Sequence, residues 1–184
     1  MASLTPPVCN FGAKAFDFKL PGTDGQNWTL EECMGKKGLL VMFICNHCPY
    51  VKAIHQRLLR DTAELKTLGI ASVAISTNDV IKYPQDSFEN MQLLAKELNF
   101  DFPYLLDESQ EIAKQYGAVC TPDFFGYNKS FELQYRGRLD ASRKDTAPAD
   151  ANRDLFQAMK QVVQTGHGPK KQLASIGCSI KWKS

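Results

Sequence analysis

Two kinds of apolar spacing alternate along the chain. Residues 38–44 (GLLVMFI) and 70–76 (IASVAIS) are short, nearly unbroken apolar runs, the pattern of strands buried on both faces. Between them Val51, Ile54, Leu58, Leu59 and Leu65 recur at helical spacing up to Gly69. Residues 84–99 repeat that spacing, with Phe88, Met91, Leu94, Ala95 and Leu98 on one stripe. A shorter helix is expected around 109–117. Strands follow at 123–128 and 131–136, joined by a turn at Asn128-Lys129-Ser130, and a last helix spans about 150–164 and stops at Gly166. Ahead of all this, residues 15–20 alternate, residues 21–25 carry turn formers and Trp28-Thr29-Leu30 resumes, which predicts an N-terminal hairpin. The order predicts an α/β fold, parallel strands inside and helices on both faces. Residues 1–165 read as one domain, with the polar loop 141–151 inside it, and residues 166–184 as an extension packed on that domain.

Composition narrows the function only by exclusion. A chain of 184 residues with 43% hydrophobic and 23% charged residues is an ordinary soluble globular protein. A formal charge of +2 is too small to imply a nucleic-acid or anionic-membrane partner. No run approaches the roughly 18 apolar residues of a membrane span. The first twenty residues show no basic segment followed by an apolar one, so no secretory signal is read and a cytoplasmic location is expected. In that reducing compartment a close pair among the six cysteines (9, 33, 45, 48, 120, 178) is expected to be catalytic or metal-binding.

Such a pair stands in residues 43–52, FICNHCPYVK. Cys45 and Cys48 are either a redox dithiol, half of a metal site or two buried thiols. A zinc ribbon wants a second pair at matching spacing, and the sequence holds no other CxxC and no HxxxH. A c-type haem site wants His directly after the second Cys, where Pro49 stands. Redox chemistry is left as the favoured reading, with no metal, flavin or nucleotide cofactor, since no Gly-rich phosphate loop occurs. Placed where strand 39–44 hands over to a helix, Cys45 would face free N–H groups and the positive end of the helix dipole. Cysteines in such motifs ionise at about 3.5–7.5, against about 8.5 when free. Cys48, one turn deeper, is then positioned to resolve a mixed disulfide formed at Cys45. Asn46 and His47 are expected to tune the thiolate. An imidazolium at His47 would make the disulfide more oxidising by some tens of millivolts. His55 and His167 are read as solvated or satisfied in packing.

Residues 118–125, AVCTPDFF, hold a proline that opens a buried strand. Either Pro122 is an ordinary trans proline, or a cis Thr121-Pro122 bond turns the chain and leaves the Thr121 backbone free to pair with an extended substrate. Alternation aims Cys120 away from Thr121, into packing, the alternative being an additional redox cysteine beside the dithiol. Cys178, after Gly177 in the tail, is either a partner for the dithiol or part of an ordinary docked strand. Cys9 and Cys33 read as small hydrophobes. Lys170, Lys171, Lys181 and Lys183, with Trp182, read as a solvated basic tail.

Four segments in order carry a family resemblance: residues 15–21 with Asp24-Gly25; residues 40–43 running into Cys45-Asn46-His47-Cys48-Pro49; residues 102–107 (FPYLLD); and residues 116–119 leading into Thr121-Pro122. Together they resemble the thioredoxin-like superfamily, and within it the peroxiredoxin-like branch of alkyl hydroperoxide reductase and thiol-specific antioxidant proteins. The resemblance covers about residues 10–165 and implies a thioredoxin-like fold with a central mixed sheet flanked by helices. It further implies Cys45 as attacking cysteine, Cys48 as resolving cysteine and Pro122 as a cis-proline facing them. SIGCSIKWK resembles a tail found in one subgroup of that branch. Peroxidases of the branch carry Pro-x-x-x-Thr-x-x-Cys. Aligned on Cys48, Val41 stands at the proline and Cys45 at the threonine; aligned on Cys45, Gly38 and Met42 do.

The expected activity is that of a thiol–disulfide oxidoreductase. It would act on a protein or small-molecule disulfide, with Thr121 and Pro122 binding substrate and a thiol as electron donor. Two alternatives stand beside it. One is a thiol peroxidase reducing a hydroperoxide, with Cys178 or Cys48 resolving. The other is a metal-handling or redox-sensing protein using Cys45, His47 and Cys48, with Cys178 completing the ligands.

Overall fold

The computed structural model describes residues 3–184. In chain order the strands are β1 (Ser3–Leu4), β2 (Lys19–Pro21), β3 (Asn27–Thr29), β4 (Gly38–Phe43), β5 (Ile70–Ser76), β6 (Tyr104–Leu106), β7 (Cys120–Thr121), β8 (Asp123–Asn128), β9 (Leu133–Tyr135) and β10 (Gly177–Ser179). The helices are α1 (Pro49–Lys52), α2 (His55–Thr67), α3 (Phe88–Glu97), α4 (Glu111–Tyr116) and α5 (Asp154–Thr165), with one 3₁₀ turn at Pro84–Asp86.

The central sheet runs β6-β5-β4-β8-β9. β4, β5 and β6 are parallel, while β8 and β9 join antiparallel, so the sheet is mixed. β4 lies in the middle, and its alternation supplies two cores. Leu40, Met42 and Ile44 enter one core with Leu58 and Leu65 of α2 and Leu155, Met159 and Val162 of α5. Leu39, Val41 and Phe43 enter the other with Ala113 and Tyr116 of α4 and with Phe18 and Leu20 of the N-terminal hairpin. Burying each of these side chains stabilises by about 1.5–3 kcal/mol relative to leaving it in water.

The helices differ in detail from the periodicity. The first helix starts at Pro49 and is interrupted at Ala53 and Ile54, giving α1 and α2. The stripe at 84–99 divides because Ser87 caps α3, its hydroxyl accepting from the Asn90 N–H at 3.3 Å. The last helix begins at Asp154, later than its pattern suggests, and ends on Gly166 at φ +79°. The preceding loop is tied to α2: Arg57 Nη1 donates to Asp140 Oδ2 at 2.7 Å and Nη2 to the Pro148 carbonyl at 2.6 Å.

The tail forms a strand of its own. β10 lies between β1 and β7 in a three-stranded antiparallel sheet, with Cys178 opposite both Ser3 and Thr121. Beyond it the Ile180 N–H donates to the Val119 carbonyl at 3.1 Å, the Lys181 N–H to Asn78 Oδ1 at 2.9 Å and the Lys183 N–H to Gln110 Oε1 at 2.8 Å. Among the described residues no helix is long and apolar enough to cross a membrane.

Candidate active site

The handover from β4 to α1 decides the chemistry of the two cysteines. β4 ends at Phe43, so Ile44 and Cys45 follow as extended chain. Pro49 takes the first helical position, which its fixed φ and missing N–H suit. Cys48 is therefore the residue at the N-cap, with φ −68° and ψ 122°. Backbone N–H groups of Val51 and of Cys178 in the tail turn to its sulfur. The Cys45 thiol also gives its hydrogen to Cys48. That bond, more than any other cause, pushes Cys48 down to about 5 from an ordinary 9.0, against the opposing effect of burial.

Cys45 moves the other way. Donating to Cys48, burial and the Asp86 carboxylate all raise it well above its ordinary value. Of the two thiols, Cys48 is the one pushed down and Cys45 the one pushed up. The helix cap, expected at Cys45, falls instead at Cys48. Pro49 moves the cap, and with it the N–H donors, three residues along the chain.

All three sulfurs near this turn are shielded from water. Cys45 is 1% exposed, Cys48 0% and Cys178 3%. Of the three, Cys178 is the nearest to solvent. Thr121-Pro122 is a cis peptide bond. It brings the Thr121 hydroxyl to 3.4 Å from Cys45 Sγ and the Thr121 carbonyl to 3.1 Å from Cys48 Sγ, which donates to it when protonated. The Thr121 backbone, expected to be free for a substrate, is already paired with Cys178. The tail competes for that edge because Gly177 lets it approach closely: a Cβ there would lie 2.1 Å from the Thr121 oxygen. Beside Pro122 a surface pocket opens between Tyr50, Arg143 and Ile176.

The turn between the cysteines is held by Asp86, which sequence reasoning passed over inside its helical stripe. Its carboxylate is fully buried. Oδ1 accepts from the backbone N–H groups of Asn46 (2.9 Å) and His47 (3.2 Å). Oδ2 accepts from Asn78 Nδ2 (2.8 Å) and lies 2.7 Å from His47 Nδ1. The His47 ring stacks on Tyr83 at 5.4 Å. Asn46 Oδ1 accepts from the buried Tyr104 hydroxyl at 2.9 Å. His47 was expected to act on the thiolate; it is instead tied to a carboxylate, and the charge reaching Cys45 from that side is negative. The one hint in the sequence was an acidic residue after a proline, in Pro84-Gln85-Asp86, where a 3₁₀ turn aims it inward.

Cys45, His47 and Asp86 also hold their ligand atoms within 4.8 Å of one another. The Asp86 oxygens are spent on the donors named above, so an ion there would have to displace hydrogen bonds already made. Cys120 is buried in packing, its thiol pushed up by burial. Cys9 and Cys33 pack in the core of the far sheet face. His55 lies half-buried on α2, its imidazolium disfavoured by burial, and His167 is exposed in the turn after α5. Lys181 is half-buried, and its Nζ reaches the oxygens of Ser179.

A CxxC pair at the end of a central strand, facing the residue before a cis-proline on a mixed sheet flanked by helices, defines a thioredoxin-like redox protein. Residues 11–142 match the AhpC/TSA family, and the chain belongs to it. No curated protein matches the chain. Among solved structures, an uncharacterized conserved protein of Geobacillus kaustophilus is 40% identical with a TM-score of 0.93, the match covering 100% of this chain and 97% of that one. A hypothetical protein of Sinorhizobium meliloti 1021 is 37% identical with a TM-score of 0.92, covering 98% of each chain. The thioredoxin domain of a thiol-disulfide oxidoreductase from Bacteroides vulgatus shares the fold at a TM-score of 0.64 and 17% identity, over 83% of this chain and 97% of that one.

Proposed function

We propose that the protein is a thiol–disulfide oxidoreductase whose Cys45 and Cys48 cycle between dithiol and disulfide. The observation that carries this reading is that both sulfurs lie against Thr121, the residue before the cis-proline, Cys45 at its hydroxyl and Cys48 at its carbonyl. The Cys48 thiolate attacks one sulfur of a protein or small-molecule disulfide, and the other sulfur leaves as a thiol on taking a proton. Cys45 then loses its proton and attacks Cys48 Sγ, breaking the mixed disulfide. The substrate leaves reduced, and a Cys45–Cys48 disulfide is left for an external thiol to reduce. The roles are the reverse of those the family resemblance implies, because Cys48 stands at the helix cap and is the thiol pushed down.

Hydroperoxide reduction is the weaker reading. Val41, which stands where the family's peroxidases carry proline, enters the core on the opposite sheet face from the dithiol. The charged side chain raising Cys45 is an acid. Reduction of an insulin-type disulfide tests the proposal: Cys45→Ser should accumulate a mixed disulfide at residue 48, and Cys48→Ser should accumulate none. Trapping at residue 45 in Cys48→Ser, with none at 48 in Cys45→Ser, would return the attacking role to Cys45. Rapid sulfenate formation on mixing with hydrogen peroxide would favour the peroxidase.

A further inference from the structure

The chain that meets the dithiol along the Thr121 edge is the protein's own tail. β10 runs antiparallel to β7 with Cys178 opposite Thr121, so a cysteine of the tail occupies the edge an extended disulfide substrate would need. Its position is fixed from several sides. Ser175 Oγ donates to the Pro122 carbonyl at 2.8 Å, the Ile180 N–H to the Val119 carbonyl at 3.1 Å, and Lys181 is held at Asn78. Gly177 presses bare backbone against Thr121. In this register Cys178 lies opposite Thr121, whose carbonyl is 3.1 Å from Cys48 Sγ, and the Cys178 N–H turns to that same sulfur. Among the described residues the outer edge of β10 is paired by the two-residue strand β1, both of whose residues are exposed. Lys144 and Lys181 are near enough to favour a thiolate at Cys178, although burial still holds the thiol at about 11.

We infer that Cys178 is a third redox cysteine, which accepts the disulfide from the Cys45–Cys48 pair and carries it toward solvent. This rests on the proposed dithiol cycle. In the step, the Cys178 sulfur attacks Cys48 Sγ, the Cys45–Cys48 bond breaks and a Cys48–Cys178 bond forms. The proton lost by Cys178 passes to the departing Cys45 sulfur. One disulfide and one thiol are present before and after, so the exchange needs no oxidant or reductant. An external thiol reductant then meets Cys178, the outermost of the three sulfurs, and reduces the Cys48–Cys178 bond. Cys45 stays beneath, out of contact with the reductant. The same arrangement explains how a sealed dithiol communicates with solvent: the bond moves outward through sulfurs already in register.

The test is disulfide mapping of the full chain after oxidation with one equivalent of diamide, acid quench and alkylation of the remaining thiols. The wild type is expected to yield both Cys45–Cys48 and Cys48–Cys178 peptides, and Cys45→Ser only Cys48–Cys178. Gly177→Ala, which pushes β10 off Thr121 while keeping every sulfur, is expected to lose at least tenfold of the Cys48–Cys178 peptide and to retain Cys45–Cys48. Cys178 recovered as free thiol in both wild type and Cys45→Ser overturns the inference. So does an undiminished Cys48–Cys178 yield in Gly177→Ala. A wild type that forms Cys45–Cys48 with Cys178 free sinks this inference alone, whereas a wild type with no Cys45–Cys48 linkage sinks the dithiol cycle itself.

Discussion

Two regions of the molecule bury thiols, and they treat them in opposite ways. In the core on the far face of the sheet, Cys33 packs among Leu30, Phe43 and their neighbours, and burial pushes its thiol up to about 12. At the end of β4, Cys48 is at least as well shielded from water, yet it is pushed down to about 5. The difference lies in donors. Cys48 sits at a helix cap and receives hydrogens from Cys45, Thr121 and two backbone N–H groups, and together these outweigh the cost of burying charge. Seclusion from water does not make a cysteine inert; seclusion without hydrogen-bond donors does.

The largest effect that would break this comparison is loss of exchange chemistry. Cys48→Ser should lower disulfide-exchange turnover by about two orders of magnitude or more, whereas Cys33→Ser should leave it near wild type. Turnover of the reduced protein on an insulin-type substrate measures both. Next is the source of the low ionisation. Thiolate absorbance of the reduced wild type should rise with a midpoint near about 5. Cys45→Ala should move that midpoint upward, because it removes the largest stabilising contact. A midpoint unmoved in Cys45→Ala would shift the cause to the helix cap.

Asp86 sharpens the contrast from the other side of the site. Asp86→Ala leaves the Asn46, His47 and Asn78 donors buried without their acceptor, at a cost of about 3 kcal/mol. For a chain of this size that lowers Tm by roughly 6–12 °C. Asp86→Asn should cost less and should also bring Cys45 down, since the carboxylate charge that raises it is gone. A thermal melt and the thiolate titration separate the two effects.

The pH dependence of stability should differ in sign between the two regions. Between about 5 and 9.0 the folded protein holds Cys48 ionised while the unfolded chain keeps that thiol protonated. The unfolded state then binds more protons, so stability rises with pH across that window, and below it Cys48 contributes nothing. Cys33 acts above 9.0, where the unfolded thiol ionises and the folded one stays protonated to about 12, so stability falls as pH rises. Denaturant unfolding of reduced wild type, Cys48→Ser and Cys33→Ala across pH reads both slopes. The smallest effect is Cys33→Ala at neutral pH: a lost sulfur and a small cavity, worth about 1–2 kcal/mol, with no change in exchange.

Much of this fold was legible along the chain. β4 and β5 are apolar enough to be read as strands buried on both faces, and β5 matches its expected bounds at residues 70–76. The cysteine spacing pointed to the dithiol, and Pro49 was itself a readable sign that the helix starts there and that Cys48 caps it. β6 was less legible, because a three-residue strand shows too little periodicity and is a strand only by pairing with β5. β7 and β10 are shorter than any pattern can register and exist through each other.

The sequence by itself determined the layered α/β order, the pair of cysteines three residues apart and the proline that fixes where the helix begins. Those are local matters of apolar period, spacing and backbone restriction. Tertiary structure alone decided which sulfur carries the charge, that Asp86 closes the turn from forty residues away, and that Cys178 lies against Cys48. Each of these depends on donors and acceptors brought together from distant segments. In a buried site such hydrogen bonds, and not the identity of neighbours along the chain, set where a proton rests.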